Sequence, residues 1–381
     1  VGATVLFLPS PSTSGSWGST VRLATIAAEC RLRGDRVVFH ACEPTDELLR
    51  QRGMEVVACP GIAPADLSSG PIDTFYDICA VLGFGERTSW ERLLRAEADL
   101  IADIKPDVIV ADMRPSAPLS AARYGVPLVS CAWAGADPRQ HATGEHPYDE
   151  LARSVAADWS GLALTSMAEL MYWRADRQLA LSFPVFEPEL ADAPAVVYTG
   201  YLRDSWRSRD ERPAVPERLV IVYASSSPWG VPGIVDALDE AARRAGATVW
   251  CVLRSDSPAW RHSDRCQVFR FLPMDEVLPE SAALVFHGGL STALASIHYG
   301  APALAVPGRH YERRRNADRL GEIGIGVTGE LIDLLPSRLS TIFERLLDDT
   351  EMRAAAETTR ADVARYQGAA AAADAVHGLV G

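Results

Sequence analysis

The seven cysteines of this 381-residue chain contain no CxxC pair, and their number is odd. That argues against a disulfide scaffold or a thiolate metal site, and leaves scattered thiols in a reducing cytoplasm as the expectation. Positive charge is also in deficit, with a net charge of −13 and a pI near 5.1. Affinity for nucleic acid comes largely from Lys and Arg neutralising phosphates, so a broad polyanion-binding surface is excluded while a local phosphate pocket is not. No apolar stretch approaches the ~20 residues of a membrane helix. The opening Val5–Leu8 run lacks a basic segment ahead of it and stops at Pro9, unlike a secretion signal. A soluble, cytoplasmic chain without membrane or nucleic-acid partners is expected. There is no Asp-x-Asp pair of the kind that carries a cation, so no metal site is expected.

What is present is a chain with 48% hydrophobic residues, long enough for two domains that each bury a core. Short apolar runs alternate with helical patterns: Thr4–Leu8, a helix from about Thr20 to Leu32, Arg36–Phe39, Val108–Ala111 and Leu128–Cys131. The scheme restarts at Arg218–Ala224 and continues through Val249–Leu253, Ala283–Phe286 and Ala303–Val306. This is the spacing of βα units around a parallel sheet, so an α/β fold with two open sheets is predicted. Tyr124-Gly125-Val126-Pro127 is echoed by Tyr299-Gly300-Ala301-Pro302, and Arg33-Gly34 by Ala245-Gly246. Glycine would end a helix and proline open the next extended run in each case, though any α/β chain reuses such punctuation. The charged stretch 201–217, with Pro213 and Pro216, reads as the interdomain linker. The segment 337–381 is helical in character, with an alanine run at 369–373.

The most informative stretch is His287-Gly288-Gly289-Leu290-Ser291-Thr292, placed where the apolar strand ending at Phe286 gives way to a helix. Free backbone N–H groups and the helix dipole collect an anion at such a junction. With Tyr299-Gly300-Ala301-Pro302, Pro307 and Asn316-Ala317, it resembles the donor-binding signature of the inverting family-one glycosyltransferases of the GT-B fold. The resemblance implies two Rossmann-like domains facing across a cleft. An acceptor domain would span 1–205, a nucleotide-sugar domain 206–365, and a final helix at 366–381 would pack back on the first domain. It implies that His287, Gly288, Gly289, Ser291 and Thr292 hold a diphosphate, although relatives commonly carry glycine at the Ser291 position. Arg270-Phe271-Leu272-Pro273 is similar to the family's base-recognition turn, with Phe271 stacking on the nucleobase and the Leu272 backbone reading its edge; a core aromatic beside a turn is the alternative. Ser225 lies in a serine cluster where relatives have a loop near the phosphates. Glu312 takes the place of the family's acid toward the sugar hydroxyls, but Arg313 replaces the usual amide. Arginine only donates and brings charge, so a donor with an unusual or acidic sugar is implied; a solvated basic face over 313–315 is the alternative.

An acceptor hydroxyl must lose a proton to attack, which calls for a tuned side chain within hydrogen-bond reach. The family's histidine falls here on Ser19, and Arg22 stands where proline is common, while Asp112 keeps the place of the supporting aspartate. Asp112 as base, a loop histidine (His141 or His146) swinging in, and an acceptor that ionises readily are the open explanations. Gly15-Ser16-Trp17-Gly18 lacks the third glycine of a dinucleotide fingerprint. Phe84, Trp90, Trp133, Trp159 and Trp173 are candidates for an apolar acceptor cleft, half of them being expected in the core. The expected reaction is metal-independent, inverting transfer of a sugar from a dTDP, UDP or GDP sugar, used as co-substrate with no bound cofactor, to a small natural product. A catalytically silent binding protein of the same architecture and a nucleotide-sugar epimerase are the rivals, and a homodimer is left open.

Overall fold

The computed structural model describes residues 2–380 apart from 15–16, 65–70, 142–144, 194, 205–213, 225–228, 230–232, 254–258 and the side chains of 140 and 141. Most of the expected linker, the Ser225 cluster and half of the Gly15–Gly18 motif therefore lie outside the described residues. The chain divides into two compact units, Val1–Asp204 with Tyr366–Gly381, and Ser205–Arg365.

In the first unit the strands are β1 (Thr4–Leu8), β2 (Arg36–Ala41), β3 (Glu55–Ala58), β4 (Val108–Ala111), β5 (Leu128–Ala132), β6 (Arg177–Ala180) and β7 (Val196–Tyr198). They form one parallel sheet in the order β3-β2-β1-β4-β5-β6-β7. Successive side chains of a strand point to opposite faces. Val5 and Phe7 join a core with Leu23, Ile26 and Cys30 of the Trp17–Leu32 helix, whereas Leu6 and Leu8 join another with Leu100 and Ile101. Both faces are covered, which is why β1 is apolar at every position. That helix begins at Trp17, three residues before the expected start. The Ala369–His377 helix adds Ala372, Ala373 and Val376 to the first core, and His377 Nε2 lies 2.5 Å from Asp35 Oδ2.

The second unit contains β8 (Leu219–Tyr223), β9 (Thr248–Val252), β10 (Trp260–Arg261), β11 (Cys266–Val268), β12 (Ala283–Phe286), β13 (Ala303–Ala305) and β14 (Gly326–Thr328). Their order is β10-β11-β9-β8-β12-β13-β14, parallel except that β10 runs against β11. Val220, Val222, Val249 and Val285 pack with Phe343 and Leu346 of the Pro336–Asp348 helix. Gly125 and Gly300 cap their helices at φ 65° and 68°, a left-handed conformation that costs glycine little. The prolines two residues later lead into β5 and β13.

Strand order reverses between β1 and β4 in one sheet and between β8 and β12 in the other. Open α/β sheets receive ligands at the carboxyl ends of the strands beside such a reversal, because the connecting loops diverge there and leave a crevice.

Candidate donor and acceptor sites

The His287 turn sits at the reversal of the second sheet, directly after β12. His287 is buried, and its Nδ1 lies 3.4 Å from the carbonyl oxygen of Tyr223, the last residue of β8. A carbonyl only accepts, so this bond puts the proton on Nδ1. Nε2 faces Gly289: a Cβ at that position would lie 2.8 Å from it. Gly288 has φ +88°, and a Cβ there would lie 2.7 Å from the Arg313 carbonyl oxygen. Both glycines are thus required for the turn to pass between an imidazole and the neighbouring helix. Asn316, buried on the Tyr311–Ile323 helix, donates from Nδ2 to the Gly288 carbonyl at 2.9 Å and fixes the turn from below.

The Leu290–Tyr299 helix starts at Gly289 with no side-chain cap, so its first backbone N–H groups face outward. Ser291 is exposed and Thr292 half-buried at this end. Glu312 and Arg313 occupy the first turn of the Tyr311–Ile323 helix, on the other side of Gly288. Burial holds the Arg313 guanidinium below its usual range, with Glu312 opposing the shift. His287 is pushed down to about 4, by burial first and by the Arg313 charge second. His310, which the sequence reading passed over, precedes the same helix without a side-chain capping bond and is pushed down to about 3 by burial, Arg313 and His287. The structure therefore brings His287, Gly288, Gly289, Ser291, Thr292, Glu312 and Arg313 together, and adds His310 and Asn316. His310 gave no signal in the sequence, because it matches no motif and only the fold turns it toward Arg313.

Phe271 follows β11 on the same sheet edge and is 53% exposed, so it is no core aromatic; Leu272 beside it is buried. An exposed phenyl ring at the carboxyl end of the sheet that carries the His287 turn suits stacking on a flat heterocycle.

A second cluster occupies the reversal of the first sheet. Ser19 Oγ donates to the Asp112 carbonyl oxygen at 3.0 Å and accepts from Ser10 N–H at 3.1 Å, which stitches the loop after β1 to the loop after β4. Arg22, one turn further along the helix, pairs with the Asp112 carboxylate through Nη2 at 2.7 Å. His146 Nδ1 accepts from Tyr148 N–H at 3.3 Å as a helix cap, and its ring stacks on Tyr76 at 3.7 Å. His141 ends the short Pro138–His141 helix, and its side chain is outside the described set. Among the candidate cleft aromatics, Phe84 and Trp90 are core residues joined by an indole N–H to carbonyl bond of 3.1 Å. Arg123 lies over the Trp159 ring and Arg139 over that of Trp173.

Beneath this second cluster, Arg114 and Glu97 form a fully buried ion pair at 2.8 Å. Arg114 also donates to the Pro9 carbonyl at 3.1 Å, and Ser116 to Glu97 at 2.5 Å. Buried charges persist only when paired and hydrogen-bonded in this way. The network holds the loop after β1, and with it Ser10 and Ser19, in place.

Residues 254–375 match the family described as erythromycin biosynthesis protein CIII-like, C-terminal domain. The demethyllactenocin mycarosyltransferase of Streptomyces fradiae is 33% identical over 180 residues, 46% of this chain and 37% of that protein. The chain thus spans little more than a third of that relative. The L-demethylnoviosyl transferase of Streptomyces niveus is 27% identical over 279 residues, 69% of this chain and 68% of its own length. The crystal structure of the glycotransferase of kitacinnamycin superposes with a TM-score of 0.80 over 100% of both chains at 17% identity. Among the described residues no helix is long and apolar enough to cross a membrane. Two parallel-sheet units, each with a reversal of strand order, and the superposition on a solved glycotransferase show that the chain has the GT-B fold.

Proposed function

We propose that the chain transfers a sugar, with inversion and without a metal ion, from a nucleotide diphosphate sugar to a small natural-product acceptor. The observation that carries this reading is the His287 turn: an uncapped helix start, a buried imidazole and a half-buried guanidinium converge at a sheet reversal. The second domain would bind the donor, with its base on Phe271 and its diphosphate at the start of the Leu290–Tyr299 helix. Negative charge grows on the departing phosphate as the glycosidic bond breaks, and donors held in place beforehand stabilise it without reorganising. A phosphate oxygen would meet His287 at Nε2, and a proton taken up there on binding turns that nitrogen into a donor.

The first domain would bind the acceptor, with Asp112 as the group nearest its nucleophile. Asp112 Oδ2 is committed to Arg22, so only Oδ1 remains to accept a proton. An acceptor that ionises readily, such as a phenol or a thiol, would need little help from this carboxylate. Thermal-shift measurements with UDP, dTDP and GDP test the donor half. One nucleotide should stabilise the wild type and lose its effect in His287→Ala; equal shifts in both proteins, or none in either, would refute it. Mass-spectrometric detection of a glycosylated phenol, absent with Asp112→Asn, tests the acceptor half.

A further inference from the structure

The first turn of the Tyr311–Ile323 helix holds more than a diphosphate at the His287 turn requires. The Arg313 backbone and Cβ press on Gly288, so this side chain begins at the turn itself. Its guanidinium is half-buried and has no hydrogen bond or ion pair with any described residue; Glu312 acts on it only through its charge. Three residues earlier, His310 Nδ1 is enclosed and has no partner among the described residues. His310 directly precedes the helix, and the Arg313 charge acts on its ring. A partly desolvated cation without an acceptor, beside an enclosed ring nitrogen without a partner, destabilises the ligand-free protein. Natural proteins keep such unsatisfied groups mainly where a ligand completes them.

We propose that His310 and Arg313 form a second recognition element, in which Arg313 binds an oxyanion of the donor and His310 hydrogen-bonds the same group or a hydroxyl beside it. The inference rests on the donor reading of the His287 turn. The oxyanion has two sources in such a donor, the terminal phosphate of the diphosphate or a carboxylate on the sugar. In either case Arg313 determines which donors bind, since a planar guanidinium pairs with phosphate or carboxylate and an amide does not carry the charge to do so.

Calorimetric titration of the full chain tests this with the nucleotide series that stabilises the wild type. The ligands are the nucleoside monophosphate, the diphosphate, the diphosphoglucose and the diphosphoglucuronate, and the variants are Arg313→Gln, Arg313→Lys and His310→Phe. Arg313→Gln is expected to weaken binding about tenfold or more, with Arg313→Lys recovering part and His310→Phe losing less. Loss shared by the diphosphate and both sugar donors identifies the phosphate as the partner; loss confined to the glucuronate identifies the carboxylate. The monophosphate should bind every variant about as well as the wild type. The ligand-free melting temperature of Arg313→Gln should equal or exceed that of the wild type, because an unsatisfied charge has been removed. A purely structural role would lower that temperature. Unchanged affinities in all three variants, with His287→Ala still losing the diphosphate, would overturn this inference and leave the donor reading intact. A wild type that binds none of the ligands would overturn the donor reading and this inference with it.

Discussion

Arg22 closes on one oxygen of Asp112, with Nε at 2.8 Å and Nη2 at 2.7 Å from Oδ2. The carboxylate is almost wholly buried, 3% exposed, whereas the guanidinium reaches solvent at 18%. Removing the arginine leaves a buried charge uncompensated, which costs more than the pair itself contributes. Arg22→Leu is therefore expected to lose about 2 kcal/mol in urea denaturation. The double variant Arg22→Leu/Asp112→Asn should regain most of that loss, and a double variant no more stable than Arg22→Leu would show that the pair is not coupled.

Gly288 cannot carry a side chain, given its positive φ and the Arg313 carbonyl above it. Gly288→Ala should destabilise the second domain by about 2 kcal/mol and abolish nucleotide binding, because the turn must move away from Asn316. Calorimetry and nucleotide titration check both effects. Full binding in this variant would show that the turn is looser than the close contacts at Gly288 require.

Phe271 separates binding from stability. Its exposed ring contributes little to the core, so Phe271→Ala should stay within about 0.5 kcal/mol of the wild type in denaturation. Loss of a base–aromatic stack should nevertheless weaken the nucleotide about tenfold. A destabilised protein with intact affinity would reverse the assignment.

Acid should unfold the protein through its buried imidazoles. His40, His287 and His310 are held at about 3, 4 and 3, burial being the first cause for each. The unfolded chain takes up protons near the ordinary value of 6.5, so unfolding binds protons below that pH. The stability linked to these neutral rings is complete above about pH 6.5 and falls as the pH drops through 4 toward 3. Melting temperature measured from pH 7 to 4 should decline, and more gently in His310→Phe, which has one titrating ring fewer. A flat profile over that range would contradict the burial of these rings.

Legibility in the sequence followed burial. β1, β4 and β12 are covered on both faces, so their unbroken apolar runs could be read with correct limits. Edge strands were not readable: β3 is mostly exposed and β10 entirely so, and β11 is only three residues long. The His287 turn was legible because glycines, an imidazole and hydroxyls adjoin one another in the chain. His310 was not, and neither was the Arg22–Asp112 pair, whose members are 90 residues apart.

Residue order alone determined where helices stop, where central strands run and where the glycine turn after β12 falls, because these depend on neighbours within about ten residues along the chain. Tertiary structure alone decided what each polar side chain meets: that Asp112 is held by Arg22, that Asn316 supports Gly288, and that Arg313 stands beside two neutral imidazoles without an acceptor among the described residues. The physical reason is that hydrogen bonds and ion pairs act over a few ångströms in space, and only the packing of strands and helices into sheets brings distant parts of the chain that close.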